Sequence, residues 1–287
     1  MYVALQALLV VLSLSTVSSA HAADSRTAAA PSAASSDAFP RARARGTLIV
    51  GVPYLAPEPV AGAKIRTPER LDGVMADRLG QALGLPVKLV QIDATQRASA
   101  LSQGNVDVLI ADRSADDGQP AIAEIGDATA ISTGYIARPK AVIRGDTRLR
   151  DWKDAKGLTV CMSTAAFPAQ ALAQQWGATV RPYRVPSDAL VAVREGSCDI
   201  GLVDDIAWTP LMKFPEWKKF SATLSEQGPR TERVWIIPND AATQTWLTAA
   251  MSQWRRDGII QAMVNKWARD VAFDVYLDQE VPDCHGG

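Results

Sequence analysis

The sequence predicts an α/β fold made of two similar lobes, each with a doubly wound sheet. Two segments carry the prediction: LSQGNVDVLIADRS from Leu101 and VREGSCDIGLVDDI from Val193. Both read Gly, two residues, Asp, four mostly apolar residues, Asp, and both end the same series of strand, helix, strand, helix and strand. Such alternation favours a parallel sheet with helices on both faces. The chain is therefore predicted to contain a duplicated unit.

The elements of the two units correspond in order. Each unit opens with a strand that follows a glycine, in residues 46–54 and 157–164, and continues with an amphipathic helix, MADRLGQAL or PAQALAQQW. The second strands are predicted at 84–93 and 177–185, again after a glycine. Short helical patterns, QRASA and SDALVA, then lead into the third strands.

After the second unit, the sequence predicts a helical hairpin. The segment TQTWLTAAMSQWRRDGIIQAMVNKWARD has two amphipathic stretches with Asp257-Gly258 as its turn. Trp246, Trp254 and Trp267 fall on apolar faces of these stretches, so we expect them to pack in the core.

The first 22 residues are uncharged and mainly apolar, and they end in Ala20-His21-Ala22. This pattern predicts a secretory signal cleaved after Ala22, and therefore an exported protein. The usual positive start of a signal is missing, and a membrane anchor is the alternative. Residues 23–45 are rich in Ala, Ser and Pro without an apolar period, which predicts a flexible leader.

Composition excludes several function classes. The formal net charge of -1 argues against a nucleic-acid surface. Of the two histidines, His21 leaves with the signal and His285 is third from the end, so no core histidine supports a Ser-His-Asp triad, a Cys-His pair or most zinc sites. The sequence also lacks GxGxxG, P-loop and GxSxG motifs. We expect no cofactor and no metal.

Three cysteines, Cys161, Cys198 and Cys284, are present in a chain predicted to be exported. Two of them are expected to pair in an oxidising compartment. Cys161 with Cys198 is the favoured pair, because both lie in or beside predicted strands of the same half. A pair that involves Cys284 remains the alternative.

The aspartates of the repeat suggest a ligand site. Asp199 and Asp204 lie at opposite ends of one predicted strand, roughly 16 Å apart, and cannot share an ion. Asp112 and Asp204 occupy equivalent positions at strand ends, where ligands bind in sheets of this kind. Both are candidate ligand residues, and the alternative is that they cap the helices that follow.

The whole layout resembles the periplasmic solute-binding proteins of family 3, the amino-acid-binding type. The shared features are the opening Gly-Thr-Leu-Ile-Val-Gly-Val at 46–52, LDGVMAD at 71–77, the Asp257-Gly258 turn and Lys266-Trp267. The resemblance implies the type II periplasmic-binding-protein fold, in which two lobes are joined by two crossover strands and enclose a ligand cleft.

The resemblance also implies domain boundaries. The crossovers fall near 132–143 and 233–238. The first lobe is assigned to 46–137 plus 237–279, the second lobe to 138–236, and a C-terminal tail to 280–287.

Candidate ligand residues follow from the same resemblance. Tyr54 matches an aromatic that stacks on the ligand, and Asp204 matches the aspartate that binds the ligand ammonium. Thr164 lies at the start of the second lobe's first helix. Gln119 stands where the family has an arginine for the ligand carboxylate, and Arg113 is the candidate replacement.

The function implied is the capture of a small polar or amino-bearing solute, such as an amino acid or a derivative, by hinge closure. A monomeric, non-enzymatic binding protein of this type delivers its solute to the permease of an ABC transporter. Two alternatives remain open. One is an accessory protein of a periplasmic quinoprotein dehydrogenase, and the other is a periplasmic dehydratase that uses Asp112 and Asp204.

Overall fold

A computed structural model describes most of the chain between residues 37 and 278. The described residues are 37–56, 65–118, 120, 122–220, 222–225 and 228–278. The expected signal, Gln119, Cys284 and the tail at 280–287 lie outside them.

Ten strands and eight helices account for the described regular structure, together with three short 3-10 segments at Ala94–Gln96, Trp152–Ala155 and Pro215–Phe220. The strands are β1 (Leu48–Val52), β2 (Val87–Gln91), β3 (Val108–Ser114), β4 (Ile122–Ile125), β5 (Ala128–Ala137), β6 (Pro139–Val142), β7 (Thr159–Ser163), β8 (Thr179–Tyr183), β9 (Ile200–Asp204) and β10 (Thr231–Pro238). The helices are α1 (Pro40–Arg45), α2 (Asp72–Leu83), α3 (Arg97–Ser102), α4 (Phe167–Gln175), α5 (Pro186–Glu195), α6 (Asp205–Leu211), α7 (Ala241–Arg256) and α8 (Ile259–Leu277). Among the described helices, not one has both the length and the apolar character that crossing a membrane would need.

The strands form two sheets with a common internal arrangement. The first sheet has the order β2-β1-β3-β10-β5-β4, and the second has the order β6-β9-β7-β8. In the first, β2, β1 and β3 are parallel and β10 runs antiparallel beside β3. In the second, β8, β7 and β9 are parallel and β6 runs antiparallel beside β9. The predicted α/β class and the duplicated unit are therefore confirmed.

The chain passes from the first sheet to the second at Arg138, between β5 and β6. This crossing falls inside the segment 132–143 expected from the sequence. All of β10 pairs with β3 and β5 of the first sheet. The return crossing therefore lies before Thr231, earlier than the predicted segment 233–238.

One continuous apolar cluster contacts both sheets. It includes Leu48 and Val50 of β1, Cys161 of β7 and Leu190 of α5, and it continues through α6, α7 and α8. Side chains on the opposite face of each sheet form separate clusters, as expected for alternating side chains on a strand covered on both sides. Helix α8 lies against α5, α6, α7 and β5. The last described helix is thus a shared part of both halves of the core.

The three hairpin tryptophans are buried, as predicted. Trp246, Trp254 and Trp267 are at most 5% exposed. Gly258 makes the turn between α7 and α8 with a positive φ of 64°, a conformation that glycine adopts without steric penalty.

The prediction of a flexible leader over 23–45 is wrong for its last part. Residues 40–45 form α1, and Ala38, Phe39 and Ala42 are buried. The Phe39 ring meets Trp246 edge to face at 6.0 Å between centroids. Arginines occupy every second position of 40–45, so the sequence pattern did not indicate that this segment packs against α7.

The predicted disulfide between Cys161 and Cys198 is present. It joins β7 to the turn that precedes β9, with 6.0 Å between the Cα atoms. The bond therefore ties together two neighbouring parallel strands of the second sheet.

Candidate functional site

The aspartates that begin the third strands are structural in both halves. Asp107 accepts a hydrogen bond from the Ile49 amide at 2.8 Å, and Asp199 accepts one from the Thr159 amide at the same distance. Each carboxylate thus joins the third strand of its unit to the start of the first. This equivalence agrees with the expectation that Asp199 lies apart from the ligand site.

Asp112 belongs to an internal ion cluster. Arg70 donates to it through both terminal nitrogens, at 2.8 and 3.2 Å, and Nε of Arg233 lies 3.4 Å from it. The same two arginines also contact Asp72, at 2.6 Å from Arg70 and 3.3 Å from Arg233. Burial alone would raise the pKa of Asp112, but the charges of Arg233 and Arg70 outweigh it and lower the pKa to about 2.

Asp204 lies at the end of β9 and accepts a hydrogen bond from the Tyr135 hydroxyl. It occupies the residue before α6, yet its side chain makes no capping bond to that helix. Burial raises its pKa, and the charge of Arg233 acts in the opposite direction. The guanidinium carbon of Arg233 lies 4.3 Å from the centroid of the Tyr135 ring. Arg233 therefore connects the two aspartates: it contacts Asp112 directly, and it lies over the Tyr135 ring, whose hydroxyl binds Asp204.

Glu69 is a member of the site that the sequence did not indicate. Its Oε2 atom is buried and has no hydrogen-bond partner among the described residues. Burial first, and then the negative charge of Asp204, raise the pKa of Glu69 to about 8, although Arg233 and Arg70 oppose the shift. The pKa of Glu69 therefore lies well above the usual range of a glutamate.

Two of the predicted ligand residues meet across the strand ends of the two sheets. Tyr54 follows β1 and Thr164 follows β7, and the Thr164 hydroxyl donates to the Tyr54 hydroxyl at 3.3 Å. These are equivalent positions of the duplicated unit, just beyond its first strand. The contact places the carboxyl ends of β1 and β7 side by side.

Arg113 lies apart from the other candidates. It donates to Glu232 of β10 at 2.8 and 2.6 Å and to the Pro120 carbonyl at 2.8 Å. Consecutive residues of a strand point to opposite faces, so the neighbour of Asp112 is directed away from the ion cluster. The structure does not bring Arg113 together with Asp204, Tyr54 or Thr164.

The space between Asp112 and Asp204 is small. A cavity of about 20 Å³ remains there, lined by both aspartates, Glu69, Arg70 and Arg233. Such a volume holds about one water molecule. The side chains of this protein therefore fill the position at which the sequence predicted a ligand ammonium.

A much larger cavity lies beside the cluster. It measures about 370 Å³ and runs from Tyr54 to the start of α2 and to Arg184 after β8. This size is within the range of small-molecule sites, roughly 300–1,000 Å³. Apolar residues form much of the wall, and they are Val52, Leu55, Ala56, Ile65, Val74, Leu89 and Val185.

Sequence reasoning missed most of the charged cluster. Glu232 and Arg233 were a usable signal, because charged residues in the otherwise apolar strand TERVWIIP require buried partners. Arg70 and Asp72 flank Leu71 at the start of α2 and gave no such signal. Within the described residues, no group of three or more His, Cys, Asp or Glu side chains could hold a metal ion.

Solved structures with a similar fold are amino-acid-binding proteins. A mutant of ArgBP from T. maritima aligns with a TM-score of 0.51 at 16% identity, covering 80% of this chain and 98% of that one. An ancestral cationic amino acid solute binding protein, AncCDT-1, aligns at 0.54 and 18% identity with the same coverage. Another structure of AncCDT-1, described as a precursor of cyclohexadienyl dehydratase, aligns at 0.50 and 16%, also covering 80% and 98%.

No protein-family model and no curated protein matches this sequence. The structural alignments establish the fold, which is that of the type II periplasmic binding proteins. The fold implied by the sequence resemblance is thereby confirmed.

Proposed function

We propose that this protein, which has the fold of amino-acid-binding proteins, binds a small solute in the cavity of about 370 Å³ beside Tyr54. That cavity is the observation that carries the proposal. It lies at the carboxyl end of β1 and reaches Arg184 after β8, so residues from both duplicated units line it. Ligands of open α/β sheets bind at such edges.

The proposed site lies beside, and not between, the two candidate aspartates. An ammonium group placed between Asp112 and Asp204 would have to displace Arg233, which is 6% exposed, from its carboxylate partners. Removing one partner from a buried ion pair is strongly unfavourable, by about 3–5 kcal/mol. We therefore assign Asp112 and Asp204 to the support of the site, with Tyr54 at its surface and Thr164 in contact with Tyr54.

The biological role we propose is that of a periplasmic binding protein which presents its solute to an ABC-transporter permease and catalyses no reaction. The support is the secretory pattern of the first 22 residues, the resemblance to family 3 and the fold. In this proposal the two sheets are the cores of two lobes, and β10 belongs to the first.

A thermal-shift screen of residues 23–287 tests the proposal. The panel contains amino acids, polyamines, small organic acids and sugars. A ligand at about a hundred times its dissociation constant stabilises the folded state by roughly 2.7 kcal/mol, which raises the Tm visibly. At least one hit is expected, and a panel without hits, on protein unfolded and refolded to remove any retained ligand, contradicts the proposal.

Tyr54→Ala locates the site of any hit. The variant is expected to remove most of the ligand-induced rise in Tm while the Tm of the free protein stays close to that of the wild type, because Tyr54 is only partly buried. Tyr276→Ala is the matched control, since Tyr276 is 56% exposed on α8. A shift that survives Tyr54→Ala places the solute elsewhere.

A role as an accessory protein of a periplasmic redox enzyme is the second candidate. Exposed apolar side chains of Leu55, Ile65 and Val74 line the cavity mouth, and Ile65 is 86% exposed. Exposed apolar groups around a concave site also suit contact with a protein surface. A pull-down that recovers a dehydrogenase with wild-type protein, and loses it with Ile65→Glu, would favour this role over transport.

A further inference from the structure

We propose that the cavity of about 370 Å³ takes an uncharged, largely apolar solute, such as a small aromatic compound or a short-chain alcohol. This class replaces the polar or amino-bearing solute that the sequence resemblance implies. The inference rests on the proposed solute-binding function and names the ligand class of the same site. Two features of the cavity support it: the apolar wall and mouth, and the pairing of the buried charged groups beside them.

Apolar side chains from both duplicated units form much of the wall. Val52 ends β1 and Leu89 belongs to β2, whereas Val185 follows β8 in the second unit. Val52 and Val185 are at most 4% exposed, so the protein around them fixes their positions. The Tyr54 ring adds an aromatic surface. A wall of this kind offers few groups that could replace the water around a charge.

The mouth of the cavity is apolar as well. Leu55, Ile65 and Val74 line it and are 43%, 86% and 44% exposed. A single exposed apolar side chain is common on a protein surface. Three around one concave space indicate a binding surface, because a solute that covers them removes apolar area from water. The affinity is therefore expected to grow with the apolar area of the solute.

The buried arginines beside the cavity are already paired within the protein. Arg66 forms an ion pair with Asp278, and Arg70 is bound to both Asp72 and Asp112. A solute carboxylate could bind either arginine only at the expense of these partners. The same pairs occupy Asp72, so a solute ammonium gains nothing from that carboxylate. The buried charges thus favour neither an anion nor a cation.

Glu69 is closed to a solute ammonium for a related reason. Its Oε2 atom is buried, so a molecule in the large cavity cannot reach that atom unless the wall moves. The charges of Arg233 and Arg70 act on the carboxyl group, and its raised pKa reduces its negative charge further. A cation in the cavity therefore gains little from Glu69.

The two exposed charged residues of the lining have opposite signs. Asp77 lies on α2, and Arg184 follows β8. The charge of Arg184 also acts on Asp188 of α5. Contacts with such exposed groups are worth little, because water screens them. A zwitterion would therefore give up the hydration of two charges for two weak contacts.

Probes that share one body and differ in charge test the inference. The alcohol 3-phenylpropan-1-ol is uncharged, whereas 3-phenylpropylamine, 3-phenylpropanoate and L-phenylalanine are a cation, an anion and a zwitterion. Dissociation constants are measured by titration calorimetry at pH 7 on refolded protein of residues 23–287. The alcohol is expected to bind at least tenfold more tightly than each charged probe, because a charge loses hydration without gaining a partner. The series of 1-hexanol, hexylamine and hexanoate repeats the comparison with an alkyl body.

The salt dependence and the screen of amino acids give two further readouts. The affinity for the alcohol should be the same at low salt and at about 0.5 M salt, because no charge takes part. Amino acids with large apolar side chains should bind weakly through the side chain, so they are the expected hits of the thermal-shift screen. A charged probe that binds as tightly as the alcohol, or an alcohol affinity that falls with salt, overturns the proposal.

Substitutions at exposed positions separate the apolar surface from the charged groups. Val74→Asp places a carboxylate at the mouth and should weaken alcohol binding at least tenfold. Ile125→Asp is the matched control, because Ile125 is 51% exposed on β4, away from the cavity wall, and the affinity should match that of the wild type. Arg184→Gln and Asp77→Asn should also leave it unchanged. Unchanged binding in Val74→Asp, or a loss of alcohol binding in Arg184→Gln or Asp77→Asn, contradicts the assignment.

The two proposals fail in different ways. If a charged solute binds in a manner that depends on Tyr54 and the alcohols do not bind, the solute-binding function stands and the apolar class is wrong. If neither the alcohols nor any solute of the thermal-shift panel raises the Tm or gives a binding heat, the solute-binding function itself is wrong.

Discussion

Arg70 contacts two carboxylates at once, Asp72 through Nε and Asp112 through both terminal nitrogens. Arg70 and Asp72 are almost fully buried, whereas the side chain of Asp112 is 23% exposed. Such a cluster fixes the geometry of its members more than it adds stability, because taking charges out of water offsets most of their attraction. The cluster therefore acts as the rigid wall next to the cavity.

Removal of one member should be costly. Arg70→Met leaves Asp72 and Asp112 without one of their two guanidinium partners, so the free energy of unfolding is expected to fall by about 3–5 kcal/mol. Urea denaturation followed by tryptophan fluorescence measures it. Arg144→Met is the control, because its ion pair with Asp146 is exposed, and its midpoint should match the wild type. Equal midpoints for the two variants would rule out a structural role for the cluster.

Single residues were predictable where the sequence repeats itself. Asp107 and Asp199 begin the third strands of their units, and each accepts a hydrogen bond from the first strand. Asp112 and Asp204, five residues later in each unit, have different partners despite this equal spacing. The divergence comes from Arg70 and Tyr135, which reach the strand ends from other parts of the chain. Spacing along one strand carries no information on such contacts.

Individual elements followed the sequence closely. The strands β1 and β7, the helices α2 and α4 and the Asp257-Gly258 turn fall where periodicity and turn residues put them. One exception is α1, whose six residues are too short for an apolar period to show. Its position depends on Phe39 and Trp246, a contact between distant segments.

The disulfide connects two elements of the second sheet, because it joins β7 to the turn before β9 across 37 residues. The double variant Cys161→Ala/Cys198→Ala should lose roughly 4 kcal/mol of stability in the chain-entropy treatment. Guanidinium denaturation under non-reducing conditions measures the loss.

Cys284→Ala is the control for the disulfide, and it should leave the denaturation midpoint unchanged. A lower midpoint in that variant, or a Cys284 cross-link found by peptide mapping without reduction, would contradict the pairing of Cys161 with Cys198.

At the scale of the whole molecule, the apolar cluster that contacts both sheets opposes a wide hinge motion. Helix α8 packs on α5 and α6, which flank the second sheet, and on α7 and β5 beside the first. Separation of the sheets would expose this shared surface to water. We therefore expect the solute to enter through the mouth of the cavity, instead of by the hinge closure that the family resemblance implies.

Small-angle scattering checks this expectation. The radius of gyration should be the same with and without saturating ligand, because the shared core stays intact. Calorimetry should likewise show one cooperative transition for the whole described chain. A contraction on ligand addition, or two transitions, would favour separate lobes that close on the solute.

The position of α8 also has a consequence for folding during synthesis. Part of the apolar surface of α5 and α6 is covered by residues 259–277, the last helix described. A chain still emerging from the ribosome therefore cannot complete its core, and it remains open until that helix is made. An unfolded chain of this kind is the form that a secretion channel can thread, so late closure of the core is compatible with the periplasmic role that we propose.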